Sequence, residues 1–271
     1  MKETAKVRGF IHEFWCFGIK QAYACLFGGA LLGAILSTRI FWHADWPVAR
    51  YDFLFIYALT IQALFVALKL ESWEEVRIIF IFHVIGTVME IFKTHVGSWN
   101  YPEHNIIRIG GVPLFSGFMY SAVGSYIARV WRIFLFKFEY YPSVYLTVIL
   151  CGLIYVNFFT HHYIYDMRTA LFAFTVFLFY KTKIYYKPHK TYLTMPLLLG
   201  WFLVAAFIWI AENLGTFGRI WIYPSQRTLW HIVPPAKIGS WMLLMIISFV
   251  LVTLMHRDHD IYHGKIPSKE K

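Results

Sequence analysis

Charged residues and cysteine are both scarce in this sequence of 271 residues, and each shortage excludes a class of protein. Only 15% of the residues are Asp, Glu, Lys or Arg, whereas a soluble domain has about 25%. So low a charge content excludes a disordered chain and a coiled coil. The three cysteines lie in or beside apolar segments and form no Cys-x-x-Cys pair, which excludes a disulfide scaffold.

The signatures of several common enzyme classes are also missing. The sequence has no Walker loop, no dinucleotide-binding glycine fingerprint, no Gly-x-Ser-x-Gly and no Ser-His-Asp order. ATP-driven and serine-hydrolase functions therefore lose support. No cleavable signal sequence is apparent at the N-terminus.

Apolar residues make up 59% of the chain and aromatic residues 20%, as in a protein with two membrane interfaces to anchor. A transmembrane helix needs about 20 largely apolar residues. The predicted spans are 22–42, 52–70, 77–93, 112–136, 142–160, 163–180, 193–212 and 237–255. We predict an all-α fold, a polytopic integral membrane helix bundle of about eight transmembrane helices in a single membrane domain.

The net charge of +10 predicts orientation and not a nucleic-acid partner. Most Lys and Arg residues, above all the run 181–190, fall on the cytoplasmic side if the N-terminus is inside. Both termini are therefore predicted to be cytoplasmic. Residues 1–21 are predicted to form a basic amphipathic segment on the membrane surface, and residues 257–271 a cytoplasmic tail.

An internal repeat is present at an offset of 122 residues, as 212 − 90 shows. The matched pairs are Glu90 and Glu212, Thr94 and Thr216, Trp99 and Trp221, Tyr101 and Tyr223, and Pro102 and Pro224. This offset corresponds to four spans, so the halves 22–136 and 142–256 are predicted to form two parallel pseudo-repeats of four. Coincidental interface aromatics are the alternative.

The repeated glutamates Glu90 and Glu212 are the candidate catalytic residues, together with Asp166. Ionisable groups within membrane helices are costly and usually face a bundle interior or a cavity. Such carboxyl groups could act as general acid and base, or could hold a cation. The structural alternative is that each glutamate satisfies neighbouring hydrogen-bond donors.

Polar side chains gather in the predicted outer connections, which indicates a polar pocket at the outer leaflet. The candidate substrate-binding residues are Trp99, Tyr101, Trp221, Tyr223, His161, His162 and Arg168. The adjacent pair His161 and His162 lacks the further elements of a histidine box, so hydrogen-bonded histidines are favoured over a metal. A zinc site at His256, His259 and His263 lacks a fourth partner and is disfavoured against a solvated tail. No metal is predicted, and the cofactor is unknown.

Several strings resemble a known family. MEIFKTHVGSWNYPE, GGVPLFSGFMYSAVGSYIARVWR, NFFTHH and IWIAENLGTFGRIWIYP look like the YoaT-like bacterial membrane proteins, the domain of unknown function 817. The resemblance spans nearly the whole chain. It implies a multi-pass protein of the bacterial cytoplasmic (inner) membrane and assigns no activity.

A shorter resemblance, over about 30 residues, is to membrane carotenoid hydratases. Glu90, Gly97, Tyr101, Gly111 and Pro113 fit their outline of a helix-borne Glu, a Gly- and Tyr-rich segment and a Gly-x-Pro helix start. Trp99 and the Tyr101-Pro102 pair do not belong to that outline. This resemblance implies carboxyl-assisted chemistry on an isoprenoid or other lipid.

Three functions remain open from the sequence. The first is an intramembrane hydratase or isomerase that uses acid/base catalysis on a lipid-soluble substrate. The second is a transporter of a small polar molecule or ion, with the site between the two halves. The third is a lipid-binding or assembly protein without turnover. The expected partners are membrane lipids and a lipid-soluble or small polar substrate, with no nucleic acid; the sequence does not fix the oligomeric state.

Overall fold

The computed structural model describes residues 2–43, 45–255 and 260–267, with side chains from residue 9 onward. Over these residues the chain is mostly helical. The α-helices are α1 Lys2–Ala24, α2 Leu26–Phe41, α3 Arg50–Ala67, α4 Trp73–His95, α5 Phe115–Phe134, α6 Val144–Thr160, α7 Arg168–Phe179, α8 Leu197–Phe217 and α9 Lys237–Met255. Two of the three tail histidines considered for a zinc site, at positions 256 and 259, lie outside the described residues.

A helix lies at each of the eight predicted span positions. Of the helices in the described part of the chain, α3, α8 and α9 are each long and apolar enough to cross a membrane. A fourth crossing results if Gly9–Ala24 and Leu26–Phe41, which meet at a bend of 64°, form one span. Helices α6 and α7 are apolar but shorter. The count of eight spans stays a prediction.

The prediction of an all-α chain missed short β-strands. β1 Arg108–Ile109 and β2 Val112–Pro113 form an antiparallel pair. β3 Lys137–Glu139, β4 Lys183–Tyr186 and β5 Leu193–Pro196 form an antiparallel sheet in the order β3-β4-β5. Each strand has two to four residues, too few to produce a recognisable alternation of apolar and polar positions.

The chain divides into two compact units by its internal contacts. Unit 1 contains Met1–Ala24, Ile127–Ala205 and Met242–Lys271, and unit 2 contains Cys25–Tyr126 and Ala206–Trp241. Each unit draws segments from both predicted halves of the chain. Both repeated glutamates belong to unit 2.

The core of unit 2 is an apolar cluster that helices α2, α3 and α5 share with the connections between helices. Side chains spaced three or four residues apart lie on one face of a helix, which explains why α2 and α3 each contribute a regular set. The buried members are Phe27, Leu31, Ile35, Tyr51, Leu54, Ala58, Tyr101, Val112, Phe115, Phe118 and Ile220.

A capping box fixes the start of α4, the helix that carries Glu90. The backbone N–H of Glu75 donates to the Ser72 hydroxyl at 3.2 Å, and the backbone N–H of Ser72 donates to Glu75 Oε2 at 2.7 Å. Two backbone donors that the helix cannot satisfy itself thereby gain partners.

Two buried charged residues at the start of α3 hold the other connections of unit 2. Arg50 donates from Nε to the Thr38 hydroxyl and from a terminal nitrogen to Glu103 Oε1 at 2.8 Å. Its other terminal nitrogen donates to the carbonyls of Ile35 and Gly218, both at 3.0 Å. The Asp52 carboxylate accepts the backbone N–H groups of residues 106 and 107 and the side-chain amide of residue 105. The long segment that follows α4 is therefore ordered.

Unit 1 is built on the β3-β4-β5 sheet and the helices packed with it. Its core is aromatic: the rings of Trp131, Phe138, Phe249 and Trp201 contact one another in series, with centroid separations of 4.8–5.8 Å. Lys20 of α1 donates to the Lys187 carbonyl at 2.8 Å, which attaches α1 to the connection after β4.

Candidate functional site

Glu90 lies near the C-terminal end of α4, where its side chain is 3% exposed. Its Oε2 atom accepts hydrogen bonds from Trp99 Nε1 at 2.7 Å and from the Tyr101 hydroxyl at 2.6 Å. Its Oε1 atom accepts one from the Tyr120 hydroxyl of α5 at 2.8 Å. Three aromatic donors thus surround one carboxyl group.

Glu212 has a similar environment at the end of α8 and is also 3% exposed. The Tyr223 hydroxyl donates to its Oε1 at 2.5 Å, and Trp241 Nε1 donates to its Oε2 at 2.7 Å. Each glutamate is therefore bonded by the tyrosine of its own Trp-x-Tyr-Pro motif and by an aromatic residue of the helix that follows.

The chain brings each motif back to its glutamate by ending α4 and α8 in the same way. After α4, Gly97 has φ +73° and the Ser98 N–H donates to the Lys93 carbonyl, which is a Schellman ending. After α8, Arg219 has φ +53° and the Ile220 N–H donates to the Gly215 carbonyl. Positions 97 and 219 are separated by the same 122 residues as Glu90 and Glu212. Arg219 carries no sequence signal for this ending, because glycine is the usual residue at such a position.

The two Trp-x-Tyr-Pro motifs pair with each other through their backbones. The Asn100 N–H donates to the Ile222 carbonyl at 3.1 Å, and the Ile222 N–H donates to the Asn100 carbonyl at 3.0 Å. Asn100 and Ile222 occupy the same position in the two motifs. Each motif therefore meets its own counterpart in an antiparallel bridge within unit 2.

Aromatic contacts join the two glutamate environments into one cluster. The rings of Trp99 and Tyr223 pack edge to face with centroids 6.0 Å apart. The Lys237 ammonium lies over both rings, 4.5 Å from the centroid of Tyr223 and 5.8 Å from that of Trp99. Because Trp99 donates to Glu90 and Tyr223 to Glu212, a single site contains both carboxyl groups.

The donors remain protonated over the physiological pH range. An indole N–H can only donate. Burial, with the adjacent Glu90 carboxylate as a further cause, raises the pKa of Tyr101 well above its usual value. Burial and Glu212 raise the pKa of Tyr223 in the same way. Each glutamate therefore has phenol and indole donors directed at it.

Trp221, the remaining predicted aromatic residue of the motifs, packs against a helix. Its ring lies against Gly215 of α8, where a Cβ atom would be 2.5 Å from the indole. The glycine thus allows the motif to approach the helix closely. Trp221 also borders the apolar core of unit 2.

The remaining predicted site residues lie in unit 1, around the connection between α6 and α7. Asp166 forms a salt bridge with Arg168 at 2.5 Å and accepts the Arg168 backbone N–H at 3.0 Å. The Arg168 guanidinium lowers the pKa of Asp166 to about 2. The rings of His161 and His162 lie 4.1 Å apart, and His161 Nδ1 is 2.8 Å from the Asn157 carbonyl. Whether Asp166 shares in catalysis stays a prediction.

Sequence reasoning missed three members of the glutamate site, namely Tyr120, Trp241 and Lys237. A weak signal was present, because Tyr120 and Trp241 follow the repeated glycines Gly117 and Gly239 by less than one helical turn. Tyr120 follows Gly117 by three residues, whereas Trp241 follows Gly239 by two. Comparison of the sequence with itself at a fixed offset of 122 residues therefore does not align the two aromatic residues.

Comparison with known proteins places the chain in a family. A family model described as "Protein of unknown function (DUF817)" matches residues 13–249. The chain belongs to this family. The resemblance inferred from the motif strings is thereby confirmed, and the matched range of the DUF817 family contains both glutamates and all of their aromatic donors.

One relative within the family is the "Uncharacterized protein YoaT" of Bacillus subtilis (strain 168). It is 41% identical over 236 residues, which is 87% of this chain and 89% of the relative. No solved structure matches the chain.

Proposed function

We propose that unit 2 is an acid/base catalytic site in which Glu90 and Glu212 exchange protons with a lipid-soluble substrate. The observation that carries this proposal is the burial of two carboxyl groups in one aromatic cluster, joined by the packing of Trp99 on Tyr223. Buried carboxyl groups are a recurring arrangement for acid and base work.

The charges of the cluster explain why one proton would be held there. The hydrogen-bond donors described for Glu90 and Glu212 are neutral phenols and indoles, and the Lys237 ammonium lies over the rings of Tyr223 and Trp99. A buried negative charge held only by neutral donors is costly, and a group in that position usually neutralises instead. A proton held by one of the two carboxyl groups lowers this cost. One glutamate then acts as the acid while the other remains the base.

The tyrosines hold the two carboxyl groups in place. The Tyr120 hydroxyl donates to Glu90 at 2.8 Å, and the Tyr223 hydroxyl donates to Glu212 at 2.5 Å. A phenol hydroxyl both donates and accepts, and its hydrogen rotates to suit its neighbours. Each glutamate can therefore keep a phenol partner whether its carboxyl group is neutral or ionised.

An alkene-containing lipid fits this chemistry. The neutral carboxylic acid would protonate one alkene carbon, and the negative charge of the ionised glutamate would stabilise the resulting carbocation. The ionised glutamate would then remove a proton, either from the neighbouring carbon, which moves the double bond, or from a water that attacks the cation, which gives an alcohol. Either course restores one proton and one negative charge to the pair. Isoprenoids are the corresponding substrate class.

The proposed setting is the bacterial inner membrane, with eight spans, two parallel halves and cytoplasmic termini. A helix at every predicted span, three helices of sufficient length and apolarity, and the bacterial relative support this setting. The pairing of Asn100 with Ile222 supports a local twofold relation between the repeats.

A transporter is the second candidate, and the ammonium of Lys237 beside Glu212 favours it. Lys237 could balance the charge of the Glu212 carboxylate in one state and move away from it in another. The carboxylate would then be free to bind a cation or a proton during transport. Lipid binding without turnover is the third possibility, in which the cluster serves architecture alone. The following experiment separates the enzyme from the transporter.

The test compares the variants Glu90→Gln and Glu212→Gln with wild type in a bacterial strain from which the gene has been deleted. Glutamine keeps the shape of the side chain and removes its acid/base capacity. Glu139→Gln in unit 1 is the matched control, because Glu139 is also buried and also accepts a tyrosine hydroxyl, that of Tyr185 at 2.9 Å. Lipids and pigments are profiled by mass spectrometry, and membrane levels of each variant by immunoblot.

We expect a lipid that changes upon deletion to return with wild type and Glu139→Gln but not with either site variant. Altered uptake with an unchanged lipid profile would favour the transporter. Wild-type lipid profiles in both site variants, at normal protein level, would refute the catalytic role of the glutamates.

A further inference from the structure

A second group of chemically reactive side chains lies in unit 1 and includes none of the predicted site residues. His12 and Cys16 on α1 and His189 in the connection between β4 and β5 each direct one ligand atom toward the others. These three atoms all lie within 4.8 Å of one another. His12 and Cys16 are four residues apart and therefore share one face of the helix.

We propose that His12, Cys16 and His189 form a zinc-binding site. Two imidazoles and one thiolate are ligands that Zn²⁺ prefers, and three protein ligands leave the fourth tetrahedral position for water. Bond lengths of about 2.0–2.3 Å to the metal place neighbouring ligand atoms roughly 3.3–3.6 Å apart. Cys16 Sγ and His12 Nε2 are already 3.7 Å apart, so only His189 has to move closer.

The orientation of the two imidazoles supports this assignment. The rings of His12 and His189 have centroids 4.8 Å apart and planes at 87°. Perpendicular rings at this distance allow a nitrogen from each to bind the same ion without a clash between the rings. His12 and His189 are both exposed and Cys16 is partly exposed, so an ion can enter from solvent.

The surrounding contacts hold the two elements in place before any metal binds. On one side of the site, Glu13 Oε1 accepts the Lys190 N–H at 3.4 Å and the Thr191 hydroxyl at 3.3 Å. On the other side, Lys20 Nζ donates to the Lys187 carbonyl at 2.8 Å. The connection that carries His189 is thus attached to α1 on both sides. Ligands held on a scaffold of this kind lose little entropy upon binding.

The sequence predicts no metal site here, because these ligands form no recognisable motif. His12 and Cys16 form a His-x-x-x-Cys pair, and their partner lies more than 170 residues away, as 189 − 16 shows. Only the fold brings the third ligand to the pair. The proposed site is independent of the glutamate chemistry and stands whatever substrate unit 2 takes.

The test uses the full chain, purified in detergent under reducing conditions and without a polyhistidine tag. Zn²⁺ affinity is measured by competition with a chromogenic chelator, and Co²⁺ is added as a spectroscopic probe of thiolate ligation. The variants are Cys16→Ser and His189→Ala. The matched controls are Cys25→Ser, at another partly exposed cysteine, and His104→Ala, at another exposed histidine.

We expect one Zn²⁺ per chain and an intense thiolate-to-cobalt absorption band in wild type and in both controls. Cys16→Ser should abolish the band. Each ligand variant should weaken Zn²⁺ binding by at least about 100-fold, since loss of an outer-shell partner alone costs about 10- to 100-fold. Unchanged affinity in both ligand variants, or no binding by wild type, would overturn the proposal.

A second measurement needs no substitution and so does not depend on how the variants fold. Zn²⁺ should protect Cys16 from alkylation by iodoacetamide, because a coordinated thiolate is a poor nucleophile, while Cys25 in the same sample should react at an unchanged rate. Mass spectrometry of the digested protein reports both cysteines. Equal alkylation of Cys16 with and without Zn²⁺ would count against the site.

Discussion

Replacing Gly86 with alanine tests the geometry of the glutamate site directly. Gly86 is buried in α4, and a Cβ atom there would lie 2.5–2.6 Å from Cγ, Cβ and Cδ2 of Tyr120. The Tyr120 Cβ is fixed by the backbone of α5, so rotation of the side chain alone cannot relieve the clash. The added methyl group would therefore push Tyr120 away from Glu90.

The expected cost follows from three contributions. Overpacking of a buried site costs about 1–3 kcal/mol. Loss of a hydrogen bond to a charged group costs about 1.5–3 kcal/mol. Alanine in place of glycine within a helix stabilises the helix by about 1 kcal/mol, which offsets part of this loss. We therefore expect Gly86→Ala to lower the free energy of unfolding by roughly 1.5–5 kcal/mol, or the melting temperature by roughly 3–20 °C for a chain of this size.

The assay is thermal unfolding of the purified protein in detergent. Gly33→Ala in α2 is the control, because a Cβ at Gly33 meets nothing within 4 Å, and its melting temperature should stay unchanged or rise slightly. In a Tyr120→Ala background the cost of Gly86→Ala should fall by at least about 1 kcal/mol, since residues in contact are not additive. Equal melting temperatures for Gly86→Ala and Gly33→Ala would show that Tyr120 does not lie against α4, and the arrangement of Glu90 would be wrong.

Two further predictions concern the charged residues that position other parts of the chain. Arg50→Lys should lower the free energy of unfolding by about 2–3 kcal/mol in thermal melts, because a compact ammonium cannot reproduce the buried hydrogen bonds of the guanidinium. The control Arg77→Lys, at an exposed position, should have no such effect. Equal losses of stability in the two variants would contradict this reasoning. For Asp166, the lowered pKa means that its salt bridge stabilises the fold above pH ~4, the ordinary aspartate range, and that this contribution is lost as the pH falls to about 2. The melting-temperature difference between wild type and Asp166→Asn should therefore shrink over this interval, and a constant difference would argue against the pairing with Arg168.

The helices could be predicted from the sequence because the signal for them is local. A run of apolar residues favours a helix wherever it occurs, and the described structure has a helix at each predicted span. The short strands escaped prediction because pairing between β3 and β4 joins residues more than 40 positions apart, as 183 − 139 shows. Strand pairing of that kind depends on the fold and leaves little trace in two to four residues.

The candidate site was predictable only in part. The repeat singled out Glu90, Glu212 and the tyrosines that bond them, because rare residues at equal spacing stand out against chance. It gave no reason to select Tyr120 or Lys237. These residues enter the site through the packing of neighbouring helices, which no spacing along the chain specifies.

The sequence by itself determined the mostly helical class, the family and the two carboxyl groups, since hydrophobicity, identity to relatives and repeated motifs are properties of the chain. Only the tertiary structure decided that both glutamates belong to one aromatic cluster and that His189 lies beside His12 and Cys16. The physical reason is the same in both cases. Closing a loop of many residues costs entropy that only the packing of the whole unit offsets, so the contacts that make a site are settled by the fold and not by the local sequence.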